Sequence, residues 1–507
     1  MVTPLKKNTI ANLVGSNWPV FLGLLLIPIY IRFLGMEAYG LVGFFATLQS
    51  ICILIDFGIS ATLNREMARL SALEGNTPAQ RDLLGTLESI YWTLSLLAGI
   101  LLILFAPAFA YRWINSQHLS PETVENSFRL MGAAIAIQLP SSFYQGGLLG
   151  LQRHVSMNTV LVIMSTLRGL GTVVILWKVS RRIEAFFAWQ FLVSCLQVSA
   201  MRITLWRSLP SSDTKWRFRK DLLLDVWRYA AYVSGNAFVG TLLTQVDKVI
   251  LIRILPLEVF GYYTLAWSIA SCLWSIIVPI NTAIFPQFVL LHERGDRENL
   301  VNLFHHASQV CSVAIIPIGV VIIFFSREIM LLWTRDPAIA EHAHLLVSLL
   351  VLGVMVNGMS SVPVYAATAF GWPQLVLYVN IGQAIVLFPA ILIAVPYFGA
   401  VGAAVIWVFL NSTYLFVMLP ILFRRHLRSE KWNWYLRDIG LPLAGATLTG
   451  MASRWIYPEG ISTMFSMAYI FLTLLMTLTI SVLLSPTVKS WVFGVLAHLS
   501  GKAGNLY

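Results

Sequence analysis

Ile31–Leu41 reads IRFLGMEAYGL and Ile252–Tyr262 reads IRILPLEVFGY. Ile31/Ile252, Arg32/Arg253, Leu34/Leu255, Glu37/Glu258 and Gly40/Gly261 coincide without a gap, and Tyr39/Phe260 is conservative. The register survives elsewhere: SALEGN (Ser71–Asn76) faces LHERGD (Leu291–Asp296), and Phe105…Trp113 faces Phe325…Trp333 with equal spacing. Chance likeness between apolar helices is common, but one offset of about 220 residues kept across three loops marks an internal repeat. The chain is read as a duplicated bundle.

Composition says what kind of bundle. Of 507 residues, 58% are hydrophobic and 11% charged, against roughly 25% charged in an ordinary soluble domain. That excludes a string of soluble domains and points to an integral membrane protein crossing the bilayer many times. The apolar runs are too long for barrel strands of about ten alternating residues, so the spans are helices. They are expected near 10–34, 40–62, 84–111, 128–150, 156–177, 184–206, 229–254, 260–290, 303–332, 343–370, 374–395, 399–423, 438–456 and 462–485, about fourteen in all. The first run exceeds a cleavable signal segment and lacks a small-residue cleavage site, so it reads as a retained span.

The fold class is therefore all-α and polytopic: two pseudo-symmetric six-helix lobes (1–206 and 229–424), a basic linker (207–228), and a final helix pair with a tail (425–507). Both copies begin on one face, so the lobes should be related by an axis along the membrane normal, with the substrate between them. Within the tail, Val488, Trp491, Val492, Val495 and Leu499 of Pro486–Leu499 share one face, as in an amphipathic helix lying in the membrane interface. About 21 of the basic residues fall on the side of the termini and about 10 opposite, which places both termini in the cytoplasm. Net charge is +11 without a dense basic block, so the cations suit anionic lipid headgroups and no nucleic acid is expected as a partner. Cys52, Cys195, Cys272 and Cys311 sit in apolar stretches without metal-ligand spacing and read as small buried hydrophobes.

No loop exceeds about twenty residues, and none holds acidic pairs, a Gly-rich phosphate loop or a Ser/His/Asp set. Bond chemistry has no obvious seat, so the chain reads as a carrier rather than an enzyme. Polar side chains in the spans should mark the protein interior or a wet cavity, because lipid exposure is costly. Asn8, Asn12 and Ser16, with Asn17 beside them, stripe the first helix, and Gln49, Asp56, Ser60, Asn64 and Arg65 the second. Asn236, Gly240, Thr244 and Asp247 stripe the seventh, with Gln245 and Lys248 adjacent; the eighth carries a run of hydroxyls and then Asn281.

Lys248, Asp247, Arg168, Asp56, Arg65, Asn17, Gln245, Asn236 and Asn281 are the substrate-cavity candidates, the cations serving to neutralise a phosphate or pyrophosphate. The competing reading is local. Neighbours at i, i+1 do not face each other, so Asp247 and Lys248 would each find interhelical partners, and Asn and Ser would be interhelical glue. Arg32 and Arg253 read as interface anchors, and His305 and His306 lie near a cytoplasmic helix start. Pro19, Pro28, Pro140, Pro279, Pro286, Pro317 and Pro389 inside spans can bend their helices.

Leu34-Gly35…Tyr39-Gly40, then Asp56-Phe57-Gly58-Ile59, then Arg65 resemble the opening of the bacterial polysaccharide (O-antigen and capsule) flippases, a family of the multidrug/oligosaccharidyl-lipid/polysaccharide exporter superfamily. Thr244–Ile269 is similar to that family's second-lobe opening, except that Pro256 stands where the first lobe has Gly35. The resemblance implies an alternating-access flippase, without cofactor, in the bacterial cytoplasmic membrane. It would carry undecaprenyl-pyrophosphate-linked oligosaccharide among membrane lipids and other glycan-assembly membrane proteins. Coupling to a proton or sodium gradient would fall to Asp56 or Asp247. The same superfamily holds multidrug/cation antiporters, which often place a carboxylate in the first helix; this first span has none. A membrane polymerase or ligase of lipid-linked glycans is the alternative from another class, and a non-transporting scaffold a third.

Overall fold

The computed structural model describes residues 4–72, 77–210, 216–219, 221–458 and 460–499. Part of the repeat segment at 73–76, part of the linker, and the side chains of 221–237 (Asn236 among them) and of Val495 and Leu499 lie outside the described residues. The described residues form helices joined by short turns and irregular segments, with one isolated bridge between Asn115 and Pro256.

Contacts divide the chain into two compact units, Met1–Gly261 and Tyr262–Tyr507. Unit 1 runs α1 (Pro4–Leu34), α2 (Met36–Cys52), α3 (Ile59–Ser71), α4 (Thr77–Ala108), α5 (Pro121–Gln138), α6 (Pro140–Gly150), α7 (His154–Lys178), α8 (Ile183–Ser208) and α9 (Asp221–Ile254), and ends within α10 (Leu257–Ser271). Unit 2 continues with α11 (Trp274–Glu293), α12 (Arg297–Phe324), α13 (Ser326–Thr334), α14 (Pro337–Ala369), α15 (Pro373–Thr413), α16 (Leu419–Arg425), α17 (Lys431–Asn433), α18 (Leu441–Ile456), α19 (Thr463–Leu483) and α20 (Pro486–Leu499). The repeat starts its second copy at α9, whereas packing groups α9 with unit 1, where it lies against α2 and α3.

Among the described residues ten helical segments are long and apolar enough to cross a membrane. The longest, Pro373–Arg425, has 53 residues and breaks at Gly399 (φ 58, ψ −144), so it covers two expected spans. Three other expected spans are helical but less apolar or shorter: 128–150 falls on α5 and α6, 229–254 on α9, and 438–456 on α18. Around fourteen crossings are compatible with this arrangement. The tail helix occupies Pro486–Leu499 as the sequence pattern expects. Val488 is buried while Trp491 and Phe493 are exposed, and the helix packs on α12 and α19.

The repeat has a physical signature where its two matching segments meet. A Cβ on Gly40 would stand 2.5 Å from the Leu257 carbonyl oxygen, and one on Gly261 would stand 2.5 Å from that of Met36. Met36 and Leu257 are themselves equivalent in the repeat register, so each copy's glycine admits the other copy's backbone. Beside this contact the Glu37 carboxylate accepts from the Gln117 and His118 amides at 2.5 and 2.9 Å. The loop so held offers the Asn115 carbonyl to the Leu257 amide at 2.9 Å. Gly35 sits at φ 84, a conformation open to glycine; Pro256 cannot adopt it, so the two copies turn differently at this point.

Unit 1 is also pinned at the start of α4. The buried Glu88 carboxylate accepts from the Tyr144 hydroxyl (2.5 Å), Arg202 Nε (2.5 Å) and Trp206 Nε1 (3.1 Å), joining α4, α6 and α8. Glu88→Ala strands these donors and should cost about 2–4 kcal/mol, the half-exposed Arg202 keeping it below the cost of a fully buried pair. A lowered melting temperature in detergent is the readout. Gly40→Val and Gly261→Val should each lose about 1–3 kcal/mol by overpacking. Gly240→Ala, inside α9 and with open space around its Cβ, should not lower the melting temperature and should raise stability by up to about 1 kcal/mol.

Candidate functional site

Arg168 lies mid-way along α7, a helix packed against α1 and α8. A guanidinium there must find acceptors inside the protein, since hydrocarbon offers none. Three come from one stripe of α8 at i, i+4 and i+7: Gln190 Oε1 at 3.4 Å, Ser194 Oγ at 3.4 Å and Gln197 Oε1 at 2.9 Å. The fourth is Gln138 Oε1 at 3.1 Å, where α5 ends. Gln49 of α2 donates to the same Gln138 oxygen at 2.6 Å, and Gln197 donates onward to Ser141 at 3.0 Å. Among the described residues no carboxylate pairs with Arg168. Its charge is solvated by amides and a hydroxyl and is not cancelled.

The same side chains wall a cavity of about 350 Å³ within unit 1, lined by Gln49, Ser50, Gln138, Ser141, Gln145 and Gln197 among others. Arg168 stands one hydrogen bond behind that wall. The lining is rich in amides and hydroxyls, which suit a hydroxyl-bearing ligand, and the nearby uncompensated cation favours an anionic one.

Asp247 and Lys248 on α9 are both buried, but they do not separate as their i, i+1 spacing implies. Lys248 Nζ reaches the Thr244 carbonyl at 2.5 Å and lies 3.3 Å from Asp247 Oδ1. A four-carbon stem is long enough to curl back along its own helix, which the facing rule for short side chains does not capture. Gln245 beside them is half-buried, 3.5 Å from Thr244 Oγ1.

Asp56 lies where the second expected span is interrupted. The 3-10 turn Ile53–Asp56, then Phe57 (φ 43) and Gly58 (φ 74), separate α2 from α3. The Asp56 carboxylate accepts from the Ser60 amide at 3.2 Å and from the Ser60 hydroxyl, capping α3 where the helix dipole favours negative charge. This turn packs against α9. Arg65, further along α3, is exposed and 3.3 Å from Glu66. Asn17 is half-buried, 3.5 Å from Ser16 Oγ. Its neighbour Asn12 accepts from Asn158 of α7 at 2.7 Å, glue between α1 and α7. Asn281, in unit 2, is buried and bridges α11 to Ser361 of α14 at 2.9 Å. Asn236 is on α9, its side chain outside the described residues.

The amide shell of Arg168 was not singled out from sequence, although the stripe Gln190, Ser194, Gln197 is readable at helical spacing. A second cluster, in unit 2, was also missed. His305 presents Nδ1 to Asp438 at 2.5 Å and Nε2 to Glu430 at 3.1 Å. Gln309 donates to the other Asp438 oxygen at 2.9 Å and also holds Thr487 at the start of α20. Hydrogen bonds from Ser429 and Asn433 hold the Glu430 carboxyl below the usual carboxylate range. Residues distant in sequence build this clasp, so no local pattern announces it.

The fold resembles solved transporters. An inward-facing multidrug resistance MATE family transporter of the MOP superfamily has a TM-score of 0.68 at 15% identity, covering 83% of this chain and 96% of the other. The lipid II flippase MurJ, inward closed, has a TM-score of 0.66 at 14% identity, covering 94% and 98%. A point mutant of the Vibrio cholerae MATE transporter VcmN has a TM-score of 0.56 at 16% identity, covering 84% and 99%. No curated protein matches the sequence significantly. The MatE family profile matches residues 235–393, and the profile described as "Polysaccharide biosynthesis protein" matches residues 5–292. With more than half its length under that second profile, and with this multi-pass helical fold, the chain belongs to the polysaccharide biosynthesis protein family.

Proposed function

We propose that the chain is a flippase that carries a lipid-linked, phosphate-bearing oligosaccharide from the cytoplasmic to the outer leaflet by alternating access. The observation that carries this reading is the cation at Arg168, which has no carboxylate partner among the described residues and is set behind a wall of amides and hydroxyls. An anionic, hydroxyl-rich headgroup gains from both features, whereas an organic cation would be repelled. Lys248 is the lesser contributor, because Asp247 offsets its charge. The working lobes follow the repeat, 1–206 and 229–424, with 207–228 joining them, 425–507 appended, and both termini cytoplasmic.

A second reading, export of cations, draws on the MatE match over residues 235–393. It needs an available buried carboxylate, yet Asp56 caps α3 and Asp247 faces Lys248.

Arg168→Met keeps the unbranched stem as far as the Nε position, removes the guanidinium and its charge, and lets Gln138 keep its Gln49 donor. Leaving the buried Gln190 and Gln197 oxygens without this donor should cost about 1–3 kcal/mol, while surface glycan falls at least tenfold at equal protein level. Undiminished glycan export by this variant refutes the role of Arg168, and lost resistance to organic cations with glycan intact supports the second reading. A deletion strain should accumulate untranslocated lipid-linked units facing the cytoplasm. Single exported units accumulating outside would instead identify a polymerase.

A further inference from the structure

Unit 2 contains a second and larger polar cavity, of about 1210 Å³, where the end of α13 meets the connection between α18 and α19. Three of its lining side chains are arginines: Arg327, Arg335 and Arg454. Arg454 is fixed in place, 2.7 Å from Glu328 Oε1 and with its guanidinium 5.5 Å from the Tyr457 ring centroid. Arg327 reaches Glu341 at 3.0 Å, a pair exposed on both sides and therefore weak. Arg335 is exposed and forms no ion pair among the described residues. Among those residues the lining holds three guanidiniums and one carboxylate.

The register of the repeat shows that these charges are not a requirement of the shared architecture. At the offset that aligns Phe105 with Phe325, the first copy has Pro107, Ala108 and Asn115 where the second has Arg327, Glu328 and Arg335. The arginines occur only in the copy that packs against the appended helix pair, which supplies Arg454, Tyr457, Thr463 and Ser466 to the same cavity.

The surroundings fix the depth. Trp455, on the cavity rim, is 89% exposed, and Met464 and Phe465 at the start of α19 are 81% and 71% exposed. Bare indole and apolar side chains at helix ends belong at the boundary between hydrocarbon and headgroups. A cavity beside them opens at headgroup height, where guanidiniums meet phosphates.

We propose that this cavity is a binding site for the phosphate of a lipid headgroup, held by Arg335 and Arg327 against the fixed Arg454, with Trp455 on the acyl side. The site lies wholly within unit 2 and stands whether or not the chain transports glycans. An anionic phospholipid and a polyprenyl phosphate carrier share the chemistry it recognises.

The test uses the full chain in detergent, with native mass spectrometry counting bound dioleoylphosphatidylglycerol, undecaprenyl phosphate and dioleoylphosphatidylcholine, each offered singly and in competition. At least one anionic lipid should be retained over phosphatidylcholine, and Arg335→Gln should weaken its retention about fivefold, the effect of one arginine at a membrane surface. Arg335 makes no ion pair among the described residues, so its replacement should leave the melting temperature intact. The double variant Arg327→Gln/Arg335→Gln should remove the preference. Stronger retention of phosphatidylglycerol identifies a resident phospholipid as the ligand; stronger retention of undecaprenyl phosphate identifies the carrier. Equal retention of phosphatidylcholine by the parent, or unchanged selectivity in a folded double variant, overturns the proposal.

Discussion

Inside a bilayer, a polar group that the protein does not satisfy stays unsatisfied, and much of this structure answers that constraint. Arg168 has four neutral acceptors, Lys248 uses its own helix carbonyl and Asp247, and Asp56 closes on the amide and hydroxyl of Ser60. Solvation by amides differs from solvation by a carboxylate. Both make burial tolerable, but only the first leaves a field that an incoming anion can feel. Unit 1 therefore separates its ions into two kinds. Glu88 pairs with Arg202 and Asp247 lies against Lys248, whereas among the described residues no carboxylate pairs with Arg168.

The architecture was largely legible in the sequence because its two strongest signals, apolar run length and internal repetition, are both linear. Run length gives the helices, and the Ile31 and Ile252 segments give the duplication. The tail Pro486–Leu499 was legible as a helix from its sequence pattern, although Val488 and Trp491 of its expected face differ in burial. The break at Gly399 falls between two expected spans, whereas the left-handed pair at Phe57 and Gly58 divides the second expected span, where Asp56 and Ser60 read from sequence as one continuous polar stripe.

The candidate site was only partly legible. Charge at depth drew attention to Arg168, Asp56, Asp247 and Lys248, but their partners depend on side-chain reach and on helices far apart in sequence. Glu88 escaped because it falls at a span end, where carboxylates are ordinary, although Tyr144, Arg202 and Trp206 converge on it. His305, Asp438 and Glu430 come together across more than a hundred residues. Glutamines were undervalued for a chemical reason. Gln138, Gln190 and Gln197 carry no charge and were passed over, yet an amide oxygen is what a buried guanidinium can use without being neutralised.

The reciprocal fit of Gly40 to Leu257 and of Gly261 to Met36 bears on how such a protein can change over generations. After a gene duplication the two halves are usually free to drift apart. Here each half sets a ceiling on side-chain size in the other, so divergence at this crossing has to be matched on both sides. At Arg327 and Arg335, opposite Pro107 and Asn115 in the repeat register, the two copies differ with no such reciprocal fit among the described residues.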